Sequence, residues 1–139
     1  MAAQGTGRVS GPVSGRVTGR VTGIGGLFFR SQSPQALADW YRDHLGVGVA
    51  GSPVWPQEAG PTVFMPFPAD SDYFASDRQW MLNLRVEGLD ALLARLADAG
   101  ITAERRAEWD GEAGRFARIH DPEGNPIELW EPPANAPTA

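Results

Sequence analysis

The stretch HDPEGNPIELWEPP, residues 120–133, sets a turn ahead of an apolar strand that carries a carboxylate in its middle. The Pro and Gly positions of DPEGNP (121–126) fit a chain reversal. IELWE (127–131) then reads as a strand, and GRFARIH (114–120) as the strand before it, so the turn predicts a hairpin. Successive side chains of a strand point to opposite faces. Ile127 and Leu129 therefore share one face and Glu128 and Trp130 the other, while Phe116, Arg118 and His120 share a parity on the neighbouring strand. A buried carboxylate without a partner is costly; it takes up a proton or finds a cation or donors. Across the hairpin, Arg118 is the expected partner of Glu128, and the plainest reading of the two is an ion pair.

Upstream of the hairpin the pattern alternates. WMLNLRV (80–86) reads as a strand, EGLDALLARLADAG (87–100) as a helix ending at Gly100, and ITAERRAEW (101–109) as a further strand. The same order occurs earlier. GIGGLFFR (23–30) reads as a strand, SPQALADWYRDHLG (33–46) as a helix with Ser33 at the N-cap and Pro34 at its first position, and 47–68 as short strands broken by Gly and Pro. Leu37, Trp40, Tyr41 and Leu45 recur at helical spacing and are expected to pack on a sheet, with His44 in the last turn, favourable against the helix dipole. The copies align without gaps over their first strands, GLFFR from Gly26 on MLNLR from Met81, which sets Arg30 on Arg85; pairing VFMPFP with IELWEP separately sets Phe64 roughly on Glu128.

With 139 residues the chain has the size of one domain. It holds no cysteine, which removes disulfides, thiolate metal sites and cysteine nucleophiles. All twelve basic residues are arginine, so lysine Schiff-base chemistry is absent as well. GRVS, GPVS, GRVT and GRVT repeat from Gly7 to Thr22, and residues 1–23 hold Arg8, Arg16 and Arg20 but no acid. The glycines disfavour a helix there, and a tail is expected, with an extended arm as the alternative. The remaining residues carry nine basic and seventeen acidic groups, which argues against nucleic acid as a partner. No apolar run reaches the length of a membrane span, and the start of the chain lacks a signal-peptide core. A cytoplasmic protein that engages no membrane is expected.

The twofold order of strand, helix and three strands, with WYRDHLG (40–46) ending the first helix and DPEGNPIEL (121–129) closing the second copy, resembles the vicinal-oxygen-chelate superfamily, the glyoxalase, bleomycin-resistance and dioxygenase group. The resemblance covers Ile24 to Pro132. It implies an α+β fold of two βαβββ modules, 24–68 and 80–132, whose curled mixed sheet forms a cup with helices outside. Residues 1–23 and 133–139 would be tails, and a homodimer is the expected assembly.

The resemblance also implies a site on the concave face, to which Glu128 and Trp130 would point. In metal-dependent members the glutamate of GNPIEL is a metal ligand, which suits carboxylate oxygen as a donor to divalent cations. The other family ligand positions fall on Gly26, Met81 and Phe64, none of which is a donor. No cofactor is therefore the first expectation. A divalent metal (zinc, nickel, manganese or iron) on Glu128, with His120 as a further ligand, is the alternative. Shared parity predicts a cup lined by Phe28, Phe64, Phe116 and Trp130, with Arg30, Asn83, Arg85 and Arg118 among them. Arginine recognises carboxylate or phosphate, so an aromatic or acidic small molecule is the expected ligand. An enzyme with Glu128 as catalytic general base, a metal-dependent lyase or isomerase of glyoxalase type, and an adaptor domain are the alternatives. The connection PFPADSDYFASDRQW (66–80) offers Tyr73, Phe74 and Trp80 as a cover for the cup mouth or for a partner chain.

Overall fold

The computed structural model describes residues 18–49 and 51–135. Most of the GRVS/GRVT repeat, the whole of its first ten residues among it, lies outside them. Two helices and a three-stranded mixed sheet form an α+β unit. The elements are α1 (Pro34–Leu45), β1 (Leu82–Arg85), α2 (Leu89–Asp98), β2 (Arg115–His120) and β3 (Pro126–Glu131). The sheet order is β1-β3-β2, with β1 parallel and β2 antiparallel to β3. Among the described residues, no helix is long and apolar enough to cross a membrane.

Strand alternation divides this sheet as its sequence implies. Leu84, Ala117, Ile119, Ile127 and Leu129 lie on one face and form a buried core with Leu37 and Tyr41 of α1 and Leu89 and Leu96 of α2. Each fully buried leucine or isoleucine contributes about 1.5–3 kcal/mol by leaving water. The helix ends also follow the sequence. Gly46 sits in the left-handed region at φ 69°. Its N–H and that of Val47 bond back to the carbonyls of Arg42 and Tyr41, which closes α1 in a Schellman turn. Trp40 packs on His44 in the last turn, with ring centroids 5.5 Å apart.

The DPEGNP turn does more than reverse the chain. Asp121 is 4% exposed. Its Oδ1 accepts the backbone N–H groups of Glu123 (2.8 Å) and Asn125 (3.0 Å). Its Oδ2 accepts the Asn125 amide (2.8 Å) and the Tyr41 hydroxyl (2.7 Å). The carboxylate thus builds the turn with three bonds and ties α1 to it with the fourth. Glu123, two residues on, accepts the Ser31 hydroxyl at 2.6 Å and the N–H groups of Gln32 and Ser33. Ser33 makes no side-chain cap bond; the entry to α1 is held instead by a carboxylate from the far end of the chain. These bonds draw the Glu123 carboxyl below the usual carboxylate range, the Ser31 bond most of all. Arg78 fixes the connection to the same turn, donating to Asn125 Oδ1 and to the Glu123 carbonyl.

Three expected strands are not ladders here. Residues 23–30 pair with nothing among the described residues. Cross-strand side-chain pairs are what stabilise a sheet, and Gly23, Gly25 and Gly26 supply none. The segment is docked instead by Phe29, edge-on to Tyr41 at 6.4 Å and to Trp80 at 5.4 Å. Residues 47–68 carry Pro53, Pro56, Pro61, Pro66 and Pro68, each lacking the N–H that a ladder needs, and show, among the described residues, a single bridge from Val49 to Ser52. Residues 101–109 reduce to one bridge, Glu104 with Arg118, followed by a 3₁₀ turn Ala107–Trp109. The next rung is occupied by a side chain, since the Phe116 N–H donates to the Asp110 carboxylate at 3.1 Å.

Removing the Tyr41 hydroxyl leaves a buried carboxylate oxygen short of a donor. Tyr41→Phe is expected to cost about 1–3 kcal/mol, read as a lower urea midpoint at unchanged slope.

Candidate functional site

The face of the sheet turned away from the helices carries Asn83 and Arg85 from β1, Phe116 and Arg118 from β2, and Glu128 and Trp130 from β3. Register sets three of these in one row, with Asn83 beside Glu128 on one side and Arg118 beside it on the other. Arg118 is 7% and Glu128 9% exposed. The expected ion pair between them does not form. Glu128 Oε1 accepts the Asn83 amide at 2.7 Å and Oε2 accepts the Tyr73 hydroxyl at 2.5 Å. Two neutral donors thus satisfy the carboxylate, and the Arg118 head turns elsewhere.

Its Nη2 donates to the Tyr73 carbonyl at 3.0 Å, and its Nε has no hydrogen-bond partner among the described residues. The guanidinium lies 4.9 Å from the centre of the Tyr73 ring and 5.5 Å from that of Trp109. A desolvated cation on aromatic faces gains up to about 2 kcal/mol, and these contacts take the place of the counter-ion. Phe67 and Trp109 flank the Tyr73 ring in turn, with centroids 5.7 and 6.0 Å away. The result is an aromatic box built from the connection and the 3₁₀ turn over the polar row of the sheet.

The sequence profile of the glyoxalase-like domain family matches residues 26–130. The chain belongs to the glyoxalase-like domain family. This is the family group that its strand, helix and turn motifs resemble. Among curated proteins no relative matches the chain.

The glyoxalase-like domain gathers some of the expected site residues and separates others. Asn83, Glu128 and Arg118 meet in the row. Trp130 and Phe116 stack beside it at 6.4 Å, and the Trp130 indole N–H donates to the Ala113 carbonyl at 2.8 Å. Gly114, at φ 124°, is needed there, because a Cβ would meet the Glu131 carbonyl oxygen and the Trp130 indole nitrogen. Arg85 shares the face but is committed to backbone, donating to the carbonyls of Pro61 (2.5 Å) and Glu58 (2.7 Å). Phe28 and Phe64 are 95% and 84% exposed and line no buried cup. Arg30 lies by a shallow cleft of about 190 Å³ with Phe29, Arg78 and Trp80. His120 is exposed at the end of β2, opposite Pro126. Sequence reading placed Tyr73 in a covering connection without linking it to Glu128, and it gave Trp109 no role.

The donor set does not fit a divalent metal. Glu128 is the single carboxylate of the row, both of its oxygens already accept hydrogen bonds, and a buried arginine stands beside it. Gly26, Met81 and Phe64 bring no donor atoms. No group of three or more His, Cys, Asp or Glu residues suited to a metal occurs among the described residues.

The chain has two tyrosines, and both are perturbed. Burial first, then the bond to Asp121, pushes the Tyr41 hydroxyl far above its ordinary range. Tyr73 is pushed up to about 12, by burial first and by its bond to Glu128 next. A raised tyrosine pKa stabilises the fold below the unfolded value of about 10, a contribution lost as pH climbs through the folded value. Spectrophotometric titration should therefore show no tyrosinate around pH 10 while the protein stays folded. Glu128→Gln should bring the Tyr73 step down, short of the ordinary value because burial remains, and Tyr73→Phe should abolish that step.

Proposed function

We propose that the open face of this glyoxalase-like domain binds a small aromatic or acidic molecule, with Glu128 and Arg118 as its polar contacts and Trp109, Phe116 and Trp130 as its apolar surround. The observation that carries this reading is the row itself. Three polar side chains are aligned across three strands, and two of them, Glu128 and Arg118, are buried, where apolar residues would pack at no desolvation cost. A cysteine-free chain is in keeping with a cytoplasmic setting. Calorimetric titration with benzoate, phenylacetate and simple phenols tests the reading. At least one should bind, and Arg118→Met should weaken it about tenfold or more, the worth of a charge-assisted contact. Binding that is undiminished in both Arg118→Met and Glu128→Gln would place the ligand elsewhere.

A second reading has a specific observation in its favour. Glu128 is held on both sides by neutral donors, with no cation bonded to either oxygen among the described residues, which fixes the carboxylate in place on the open face. If the face is catalytic, Glu128 is the general base that removes a proton next to a carbonyl. Turnover of a 2-oxo compound should then fall by about 10²–10⁴ in Glu128→Gln.

The two-module cup is part of the same proposal. Val54, Val63, Phe64, Met65 and Phe28 are exposed, in the stretches where the first module's strands are expected. A second copy of the chain pairing along these segments accounts for that apolar surface. Sedimentation equilibrium should give twice the chain mass, and Phe64→Asp should return it to a single chain.

A further inference from the structure

The contacts of Tyr73 carry an inference about ligand chemistry that rests on the open face being the binding site. Tyr73 is not part of the sheet. It reaches the row from the connection, and its phenol contacts both buried polar groups of the row. The hydroxyl donates to Glu128 Oε2. The ring presents its face to the Arg118 guanidinium at 4.9 Å, and its flanks meet Phe67 and Trp109.

The polar row discriminates among ligands. Glu128 accepts and does not donate while ionised. A carboxylate or phosphate brought to the same place would set one anion against another, and Arg118 has turned its head toward aromatic faces. A ring carrying a hydroxyl donor satisfies both groups at once, with O–H to the carboxylate and π-face to the cation. A ring without the hydroxyl leaves a buried carboxylate oxygen short of a donor.

We propose that the ligand of this face is a phenol and that Tyr73 is its internal surrogate, holding the ligand's place until a free phenol displaces it. The connection is then a built-in competitor. Its local concentration sets the threshold at which a free phenol takes over. Removing the competing side chain lowers that threshold without touching Glu128 or Arg118.

The test is calorimetric titration of wild type and Tyr73→Ala with p-cresol, 4-methylanisole and benzoate. p-Cresol is expected to bind Tyr73→Ala about tenfold or more tighter than wild type, and about tenfold tighter than 4-methylanisole, the difference that one hydrogen bond to a charged acceptor makes. Adding Glu128→Gln to Tyr73→Ala should erase the preference for the hydroxyl. If Tyr73→Ala folds too weakly to titrate, p-cresol should restore its melting transition where 4-methylanisole does not; failure to do so overturns the proposal. Equal binding of p-cresol and 4-methylanisole, or tighter binding of benzoate, overturns the phenol assignment and leaves the open face standing as a binding site. Binding of none of the three to folded protein overturns both.

Discussion

One buried carboxylate holds the arrangement together. Asp121 spends three hydrogen bonds on shaping its own turn and the fourth on the Tyr41 hydroxyl. A buried carboxylate that accepts four donors loses stability whenever one of them is withdrawn. The hairpin of β2 and β3 and the helix α1 are therefore mutually dependent. The two motifs that carry the family resemblance, WYRDHLG and DPEGNPIEL, are the two halves of this single interaction. Glu123 and Arg78 extend it, one to the entry of α1 and the other to the connection that carries Tyr73.

From that anchor the site follows by register. The turn fixes where β3 begins, and its beginning fixes which residues face away from the core. Glu128 then stands between Asn83 and Arg118 with no freedom to exchange faces, since a slip of one residue would turn Ile127 and Leu129 out of the core. The polar row is thus a consequence of the apolar one. What lies over it is set separately, by a connection that is tied to the turn through Arg78 and brings Tyr73 to the carboxylate.

The second half of the fold was legible in the sequence because its signals are local. Alternation in IELWE and RFARIH, helical spacing in LDALLARLAD and Gly100 just beyond α2 all act within a few residues, and each appears where expected. The first half was less so. GLFFR has strand composition, but a strand also needs a neighbour, and that depends on what the rest of the chain offers; the proline-rich stretch after it withholds N–H groups. At the site, parity placed Asn83, Glu128 and Arg118 on one face. Parity could not tell which groups would meet, because the directions of long side chains depend on competitors. Tyr73 won the carboxylate and Trp109 shared the guanidinium, and both come from irregular segments where no period constrains position. The Tyr73 hydroxyl is a stronger claim on a buried oxygen than its place in a connection suggests.

The anchoring of α1 bears on the order in which the protein comes into being. Tyr41 meets a residue 80 positions later, and the backbone ahead of α1 meets Glu123 some 90 positions later. During synthesis α1 leaves the ribosome some 80 residues ahead of Asp121, the partner that fixes it. Until the final hairpin emerges, the apolar stripe of Leu37, Trp40 and Tyr41 has no sheet to cover it, and the loop to be closed is nearly as long as the domain. The nascent chain therefore carries an uncovered helix for the interval between making α1 and making Asp121, and that interval is when it is most open to chaperones and to misassociation.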